Sequence, residues 1–223
     1  MKNSSLLQSI ILAFFVLSVF KGNAQVVSDS SVTKKQYSNI EEALKEPEKV
    51  YRLDLSNQNF KMPSDSIWER FINLEYLSLK NDHLTNLPDG LGKLKKLKIL
   101  DLSGNDFKVL PQSLSRLESL VELYLNDEKK MDITQSLLVI KDLPNLRILH
   151  LENDHLSRIP KNLLYLKNID TLYLNNNRFR QTPLELKELR KLKYVDLHDN
   201  RYRLNNQSLQ DLQNQATGLK IRF

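Results

Sequence analysis

The sequence predicts an α/β solenoid in which a parallel β-sheet lines the concave side and short helices or turns lie on the convex side. A Leu-x-x-Leu-x-Leu pattern recurs along the chain, and from residue 74 onward its copies are 23 residues apart, except for one interval of 26 residues. A fixed period of this length is typical of solenoids, in which each unit packs mainly on its neighbours. The copies start at residues 50, 74, 97, 120, 146, 169 and 192.

Each copy contains one predicted strand and one predicted convex segment. The alternation in Leu-x-Leu indicates a short strand whose leucines point into the core. Further along each copy, Leu-x-x-Leu indicates the apolar face of a helical turn. These convex pairs are Leu91 and Leu94, Leu114 and Leu117, Leu163 and Leu166, and Leu186 and Leu189.

With its turn included, the unit reads Leu-x-x-Leu-x-Leu-x-x-Asn-x-Leu-x-x-Leu-Pro-x-x-Leu-x-x-Leu, and here the sequence resembles the leucine-rich repeat family. The Leu-Pro dipeptide places it with the bacterial 23-residue form of the repeat, and the resemblance covers roughly residues 50–223. It implies a curved leucine-rich-repeat solenoid with a buried asparagine ladder. The dipeptide occurs as Leu87-Pro88, Leu110-Pro111 and Ile159-Pro160, with Thr182-Pro183 as a variant.

The asparagine position of the repeat is not occupied by asparagine throughout. In the family this buried amide bonds to neighbouring backbone. An amide both donates and accepts hydrogen bonds, whereas an ionised carboxylate only accepts them. We therefore expect Asp82 and Asp154 to weaken the ladder locally or to have raised pKa values. The position is held by Gln58, Asp82, Asn105, Glu128, Asp154, Asn177 and Asn200.

The N-terminus is typical of a secretory signal peptide. A charged start precedes a mostly apolar run of 15 residues from Leu6 to Phe20, and Gly22 and Ala24 supply the small residues of a cleavage site. The run is shorter than the roughly 20 residues of a membrane-spanning helix, so cleavage is favoured over a membrane anchor. We predict a signal peptide at 1–24 and a flexible leader at 25–37, and the chain is then exported to the periplasm or the extracellular space.

Caps are predicted at both ends of the repeats, because a solenoid otherwise exposes its core there. Residues 38–49 are assigned as an N-terminal helical cap, with a helix over 38–46. The repeats occupy 50–204, and 205–223 form the C-terminal cap. Within it we expect a helix at Ser208–Leu212 and a final strand at Leu219–Phe223.

The fourth repeat departs from the pattern. It is 26 residues long and has Lys130 where a leucine belongs. Asp132 is predicted to cap a helix that begins at Ile133. Two interpretations stay open: neutral variation of a convex segment, which is favoured because loops tolerate change, or a bulge that shapes a docking site.

Composition and motifs argue against several functions. The chain has no cysteine, so disulfides, thiol catalysis and thiolate metal sites are excluded. His150 and His198 lie two strands apart, roughly 10 Å, which is too far to share a zinc ion. Nucleophile-elbow, Walker and His-Glu-x-x-His motifs are missing, so neither catalysis nor a cofactor is expected. The formal charge of +6 falls to +4 without Lys2 and Lys21, and this mild charge does not favour nucleic acid.

The candidate site is a set of side chains that flank the inward leucines on the concave face. Tyr124, His150 and Tyr173 fall on successive strands, about 4.8 Å apart. Exposed rings with a polar tip are enriched at interfaces, although rings could also simply cover the sheet. The three flanking rows contain Arg52 and Lys80 against five carboxylates, a net charge of −3. The predicted partner-binding residues are Tyr124, His150, Tyr173, Tyr194, Glu152, Tyr76, Asp101, Asp196 and His198.

These observations favour a non-catalytic module that binds a protein or peptide on the concave face, and we expect a monomer. Replacing both Tyr124 and Tyr173 by alanine is expected to weaken the partner while leaving folding intact. The alternative is an envelope glycan or polymer bound by the basic convex face, as in an adhesin-like module. The convex basic clusters lie at 93–98 and 187–193.

Overall fold

The computed structural model describes residues 34–59, 61–181, 183–202 and 218–223. These residues form one nine-stranded sheet in which every strand pairs in parallel with the next strand along the chain. This order follows from a repeat that packs on the repeat before it. The strands are β1 Gln36–Tyr37, β2 Arg52–Asp54, β3 Tyr76–Ser78, β4 Ile99–Asp101, β5 Glu122–Tyr124, β6 Ile148–His150, β7 Thr171–Tyr173, β8 Tyr194–Asp196 and β9 Lys220–Arg222.

The register of the sheet aligns equivalent positions of successive repeats. Leu77 lies opposite both Leu53 and Leu100, and the middle residue of each later strand continues this row. These three leucines have no exposed surface. The sheet therefore presents one apolar face to the core, and the predicted leucine-rich-repeat solenoid is confirmed.

The convex side is built from short helical segments, as the Leu-x-x-Leu pairs predict. A proline directly precedes four of the 3₁₀ helices, where its fixed φ suits the entry to a helical turn. The α-helices are α1 Ile40–Ala43, α2 Asp65–Trp68 and α3 Ile133–Ile140, and the 3₁₀ helices are Pro47–Lys49, Asp89–Lys93, Gln112–Arg116, Lys161–Tyr165 and Leu184–Glu188.

The longer fourth repeat contains the predicted helix. The Asp132 side chain accepts a hydrogen bond from the backbone N–H of Gln135 at 3.0 Å and so caps α3. Lys130 is exposed and lies 2.7 Å from an Asp106 carboxylate oxygen, while the next residue, Met131, is buried. Met131 thus supplies the apolar side chain that Lys130 does not.

The N-terminal end differs from expectation in two respects. Gln36 and Tyr37, assigned to the flexible leader, form an edge strand on β2, because Tyr37 packs against the core. The first helix is also shorter than 38–46 and is capped by Asn39, whose side chain accepts from the Glu42 N–H at 2.9 Å. The assigned signal peptide, most of the leader and the helix expected at Ser208–Leu212 lie outside the described residues, whereas β9 lies where the final strand is expected.

Candidate binding surface on the concave face

Three rings from successive strands stack face to face on the concave side. The ring centroids of Tyr124 and His150 are 3.8 Å apart with planes inclined by 13°, and those of His150 and Tyr173 are 4.3 Å apart at 7°. This stack arises because Tyr124, His150 and Tyr173 occupy the same position of paired strands. Tyr194 continues the row with a tilted ring, 5.7 Å from that of Tyr173.

Two glutamates hold the imidazole at the centre of the stack. Glu122 Oε1 lies 2.9 Å from His150 Nε2 and accepts a hydrogen bond from the Tyr124 hydroxyl at 2.6 Å. Glu152 Oε1 lies 3.2 Å from His150 Nδ1. Burial alone would lower the pKa of His150, but the hydrogen bonds to Glu122 and Glu152 outweigh it and raise the pKa above its ordinary value. The raised pKa favours the imidazolium relative to an exposed histidine, and the two flanking tyrosine faces also attract a cation.

The structure corrects the exposure expected for two of the candidate residues. His150 is 1% exposed and Asp196 is 3% exposed, so neither side chain is available to a partner. His150 is enclosed by the rings that stack on both of its faces. Tyr124, Tyr173 and Tyr194 are half-buried and retain exposed surface. His150 and Asp196 therefore position their neighbours, and their own side chains have almost no exposed surface.

Asp196 organises the C-terminal end of the surface. Its carboxylate accepts three hydrogen bonds. The donors are the Tyr194 hydroxyl at 3.1 Å, the backbone N–H of His198 at 3.2 Å and the Arg222 guanidinium at 3.3 Å. Sequence reasoning missed Arg222, although the alternation in the last strand places it beside Asp196. The tyrosine, the histidine and the arginine are thus held around one buried carboxylate.

Tyr76 and Asp101 lie on β3 and β4, which precede the strands of the ring stack. The Tyr76 ring packs against the Arg52 guanidinium at 4.1 Å, and burial raises the pKa of its phenol to about 12. Burial also raises the pKa of Asp101, whose Oδ1 accepts the backbone N–H of Ser103 at 2.9 Å. Asp101 lies opposite Tyr124 in the strand register, so these two residues extend the half-buried face from the ring stack toward β3 and β4.

The asparagine ladder lies beside this surface, just after the strands, and fixes the loops that leave them. Asn177 donates through Nδ2 to the carbonyls of Leu151 and Leu174 at 2.7 and 3.0 Å. Its Oδ1 accepts the backbone N–H groups of Asp154 and Leu156. The amide therefore hydrogen-bonds to backbone groups of both repeats, as the family resemblance implies.

Carboxylates at the ladder position satisfy only part of this role. Asp154 Oδ1 accepts the Glu128 N–H at 2.8 Å, but buried Oδ2 has no hydrogen-bond partner, and Oε2 of Glu128 is in the same condition. Burial raises the pKa of Asp154 to about 9 and that of Glu128 to about 8. The expectation of a raised pKa is confirmed for Asp154, and Glu128 behaves likewise. Asp82 also has one unpartnered oxygen, Oδ2.

Several of the convex lysines are engaged in contacts within the chain. Lys95 lies 3.0 Å from a Glu118 carboxylate oxygen, and Lys96 donates to the Asn73 side chain at 2.6 Å. Lys191 makes the equivalent bond to Asn168 at 2.7 Å. Asn73 and Asn168 in turn donate to carbonyls of the preceding repeat, an outer ladder that sequence reasoning missed.

Within the described ranges, no group of three or more histidine, aspartate or glutamate side chains is arranged to hold a metal ion. None of the helices in that part of the chain is both long and apolar enough to cross a bilayer. What the concave face offers is a row of aromatic faces bordered by carboxylates, an arrangement suited to recognition of another molecule.

Comparison with known proteins supports the repeat assignment. Residues 49–139 match the model of a leucine-rich repeat region. A leucine-rich-repeat protein of Leptospira interrogans is 25% identical, with a TM-score of 0.53 over 84% of this chain. Human trophoblast glycoprotein, also called Wnt-activated inhibitory factor 1, is 23% identical, with a TM-score of 0.65 over 78% of this chain. No curated protein matches the sequence significantly.

A third similar structure comes from the Drosophila Toll–Spatzle complex, at 22% identity and a TM-score of 0.61 over 79% of this chain. The chain spans 57% of the Leptospira protein, 69% of the human protein and 23% of the matched Drosophila chain. At these identities the human and Drosophila structures show that the fold is shared.

Proposed function

Since the chain is a leucine-rich-repeat protein, we propose that it is a non-catalytic interaction module that binds a protein or peptide on the concave face of its sheet. The observation that carries the proposal is the row of Tyr124, His150, Tyr173 and Tyr194. Tyrosines supply large contact areas at little cost in side-chain entropy and are enriched where proteins meet.

The row is organised before any partner arrives. Glu122 and Glu152 fix the imidazole of His150, and its two flat faces fix the rings of Tyr124 and Tyr173. A partner therefore meets tyrosines whose rotamers are already restricted, which lowers the entropy lost on binding. Carboxylates around the rings favour a partner segment with positive charge.

The similar folds are consistent with this proposal. The Drosophila structure is a complex of Toll with Spatzle, and the fold is thus known from a complex between proteins. Fold alone does not select the partner, since sites on one fold serve many functions. The tyrosine row is the feature of this chain that favours the concave face.

The test is a substitution that removes two of the half-buried tyrosine rings and leaves His150 unchanged. Tyr173→Ala with Tyr194→Ala should lower affinity for a captured, purified partner by about a hundredfold, since central aromatic anchors contribute about 2 kcal/mol or more. Tyr124 is a poorer probe because its hydroxyl bonds to the Glu122 oxygen that also holds the His150 imidazole.

His150→Gln is the matched control, since it perturbs the same stack from inside and removes no exposed ring. Binding should survive it better than the loss of the two tyrosines once both variants are shown to be folded by circular dichroism. Unchanged affinity in the folded tyrosine variant would contradict the concave site.

We further propose that the protein is exported, as a monomer, to the periplasm or the extracellular space after cleavage of residues 1–24. Mass spectrometry of the protein recovered outside the cytoplasm should then show a chain that begins at Gln25. Recovery of an intact chain from the cytoplasm alone would contradict export. An envelope glycan on the convex lysines is less favoured, because Lys95, Lys96 and Lys191 already bond within the chain.

A further inference from the structure

Four arginines lie on the loops that leave the strands of the last repeats. We call this set, Arg158, Arg178, Arg180 and Arg201, the arginine flank. Arg178 and Arg201 occupy the same repeat position, directly after the ladder asparagines Asn177 and Asn200. The flank is distinct from the tyrosine row and from the lysines of the convex turns.

The backbone places these loops side by side. The Arg178 N–H donates to the Leu156 carbonyl at 2.7 Å, and the Arg201 N–H donates to the Phe179 carbonyl at 2.9 Å. Equivalent residues of adjacent repeats are therefore about one strand spacing apart, roughly 4.8 Å. Arg178 and Arg201 are therefore one repeat apart, with Arg180 on the loop of Arg178 and Arg158 on the preceding loop.

These guanidinium groups are exposed and not neutralised. All four residues are exposed, and none of their side chains forms a hydrogen bond or an ion pair within the described residues. Earlier repeats differ, because Asp106 occupies the position of Arg178 and pairs with Lys130 and His83. Exposed arginines on adjacent loops favour an anionic ligand, and the planar guanidinium group can bind a carboxylate through two hydrogen bonds.

We propose that the arginine flank binds a linear acidic polysaccharide through carboxylates on its successive sugars. Each sugar of a polyuronate carries one carboxylate, so that a single chain can contact several of the arginines at once. This surface is additional to the proposed protein site and does not depend on it.

The composition of the flank also disfavours the other occupants. None of the exposed large hydrophobic side chains of the described residues lies in loops 155–158, 178–181 or 201. Protein interfaces normally use such anchors, and proteins that bind single-stranded nucleic acid present aromatic platforms to the bases. Charge and hydrogen-bonding capacity alone fit a hydrated, charged polymer better.

The probe is polygalacturonate oligomers, with uncharged dextran oligomers of equal length as the reference. The full chain should bind the polyuronate and not dextran, with an affinity that falls as salt is added. Arg178→Gln with Arg201→Gln should weaken binding by about tenfold or more, since two charge-assisted contacts are lost. Lys95→Gln with Lys96→Gln removes the same charge from the convex side and should leave the affinity within about twofold.

Two further arms complete the test. Arg178→Lys with Arg201→Lys keeps the charge but not the planar fork, and should recover only part of the affinity. If Arg178→Gln with Arg201→Gln and Lys95→Gln with Lys96→Gln lose equal affinity, the proposal is overturned, because binding would then follow net charge. It would also be overturned by absence of polyuronate binding at low salt, or by tighter binding of polyglutamate, oligothymidylate or phosphatidylglycerol vesicles. Tyr173→Ala with Tyr194→Ala should not alter polyuronate binding, which separates this site from the concave one.

Discussion

His150 Nε2 lies 2.9 Å from Glu122 Oε1, and this contact is enclosed by the rings of Tyr124 and Tyr173. The same carboxylate oxygen accepts a hydrogen bond from the Tyr124 hydroxyl at 2.6 Å. One glutamate thereby sets both the charge of the imidazole and the position of a neighbouring ring. The electrostatics and the packing of the concave face are coupled at this point.

The pKa of His150 should therefore depend on Glu122. In the native chain it should lie above the ordinary histidine value, and Glu122→Gln should lower it because the amide no longer stabilises the imidazolium. An NMR titration of the carbon-bound ring protons of His150 measures this directly. Glu118→Gln, on the exposed convex side, is the control. If Glu122→Gln leaves the titration of His150 unchanged, the contact does not hold the charge.

Replacing a ladder carboxylate by the amide should stabilise the fold. Asp154→Asn provides an amide donor without the need to protonate a buried carboxyl, whose Oδ2 is unpartnered. We expect the free energy of unfolding to rise by about 1–2 kcal/mol at pH 8, with a smaller gain at pH 5. Urea denaturation at both pH values measures it. The reverse change, Asn105→Asp, should lower the free energy of unfolding. A rise in both variants would contradict the claim that an amide suits the ladder position better than a carboxyl.

The stability of the native chain should fall as pH rises from about 5 to 9. The pKa values of Asp154 and Glu128 are raised to about 9 and about 8, whereas unfolded carboxyls titrate near 4. In this window the folded chain binds more protons than the unfolded chain, so raising the pH destabilises it. His150 contributes with the same sign, because its favourable contacts are lost as the pH rises through its raised pKa.

The pH dependence has a direct check. Asp154→Asn with Glu128→Gln should flatten the decrease and leave the smaller parts due to His150 and Asp101. Thermal unfolding across the pH range compares this variant with the native chain. If the double substitution leaves the pH dependence of stability unchanged, groups other than Asp154 and Glu128 cause it.

A close contact between convex turns predicts a destabilising glycine substitution. A Cβ atom at Gly90 would lie 2.3 Å from the Asp65 carbonyl oxygen. Gly90→Ala should therefore lower the free energy of unfolding by about 1–3 kcal/mol, since the two segments must separate. Ser115→Ala, in the next convex turn, is a control with a small expected effect. If Gly90→Ala is as stable as the native chain, the two segments pack less closely than the 2.3 Å approach indicates.

The repeat pattern predicts those parts of the fold that follow from periodicity. The start positions correctly place Leu77 opposite Leu53 and Tyr124 beside His150, because parallel stacking in register allows only one alignment. The capped helix after Asp132 is also predicted, since its cap and apolar spacing are local signals. Such features depend on residues close in sequence or exactly one repeat apart.

Features that depend on side-chain packing are not predicted. The enclosure of His150 requires both tyrosine rings to lie flat against it, and alternation along a strand does not specify ring orientation. The strand at Gln36–Tyr37 is too short to show a period, and its pairing depends on the burial of Tyr37. Arg222 is not predicted as part of the surface, because the alternation at the C-terminal end indicates only a capping strand.

The most direct test of the concave site is site-specific photo-crosslinking to the captured partner. A photoreactive amino acid at Asn175, just after β7 on the concave side, should crosslink to the partner. The same amino acid at exposed Glu185, on the convex turn, should not. Crosslinks from position 175 alone are the predicted result. Crosslinks from position 185 with none from position 175 would contradict the concave binding site.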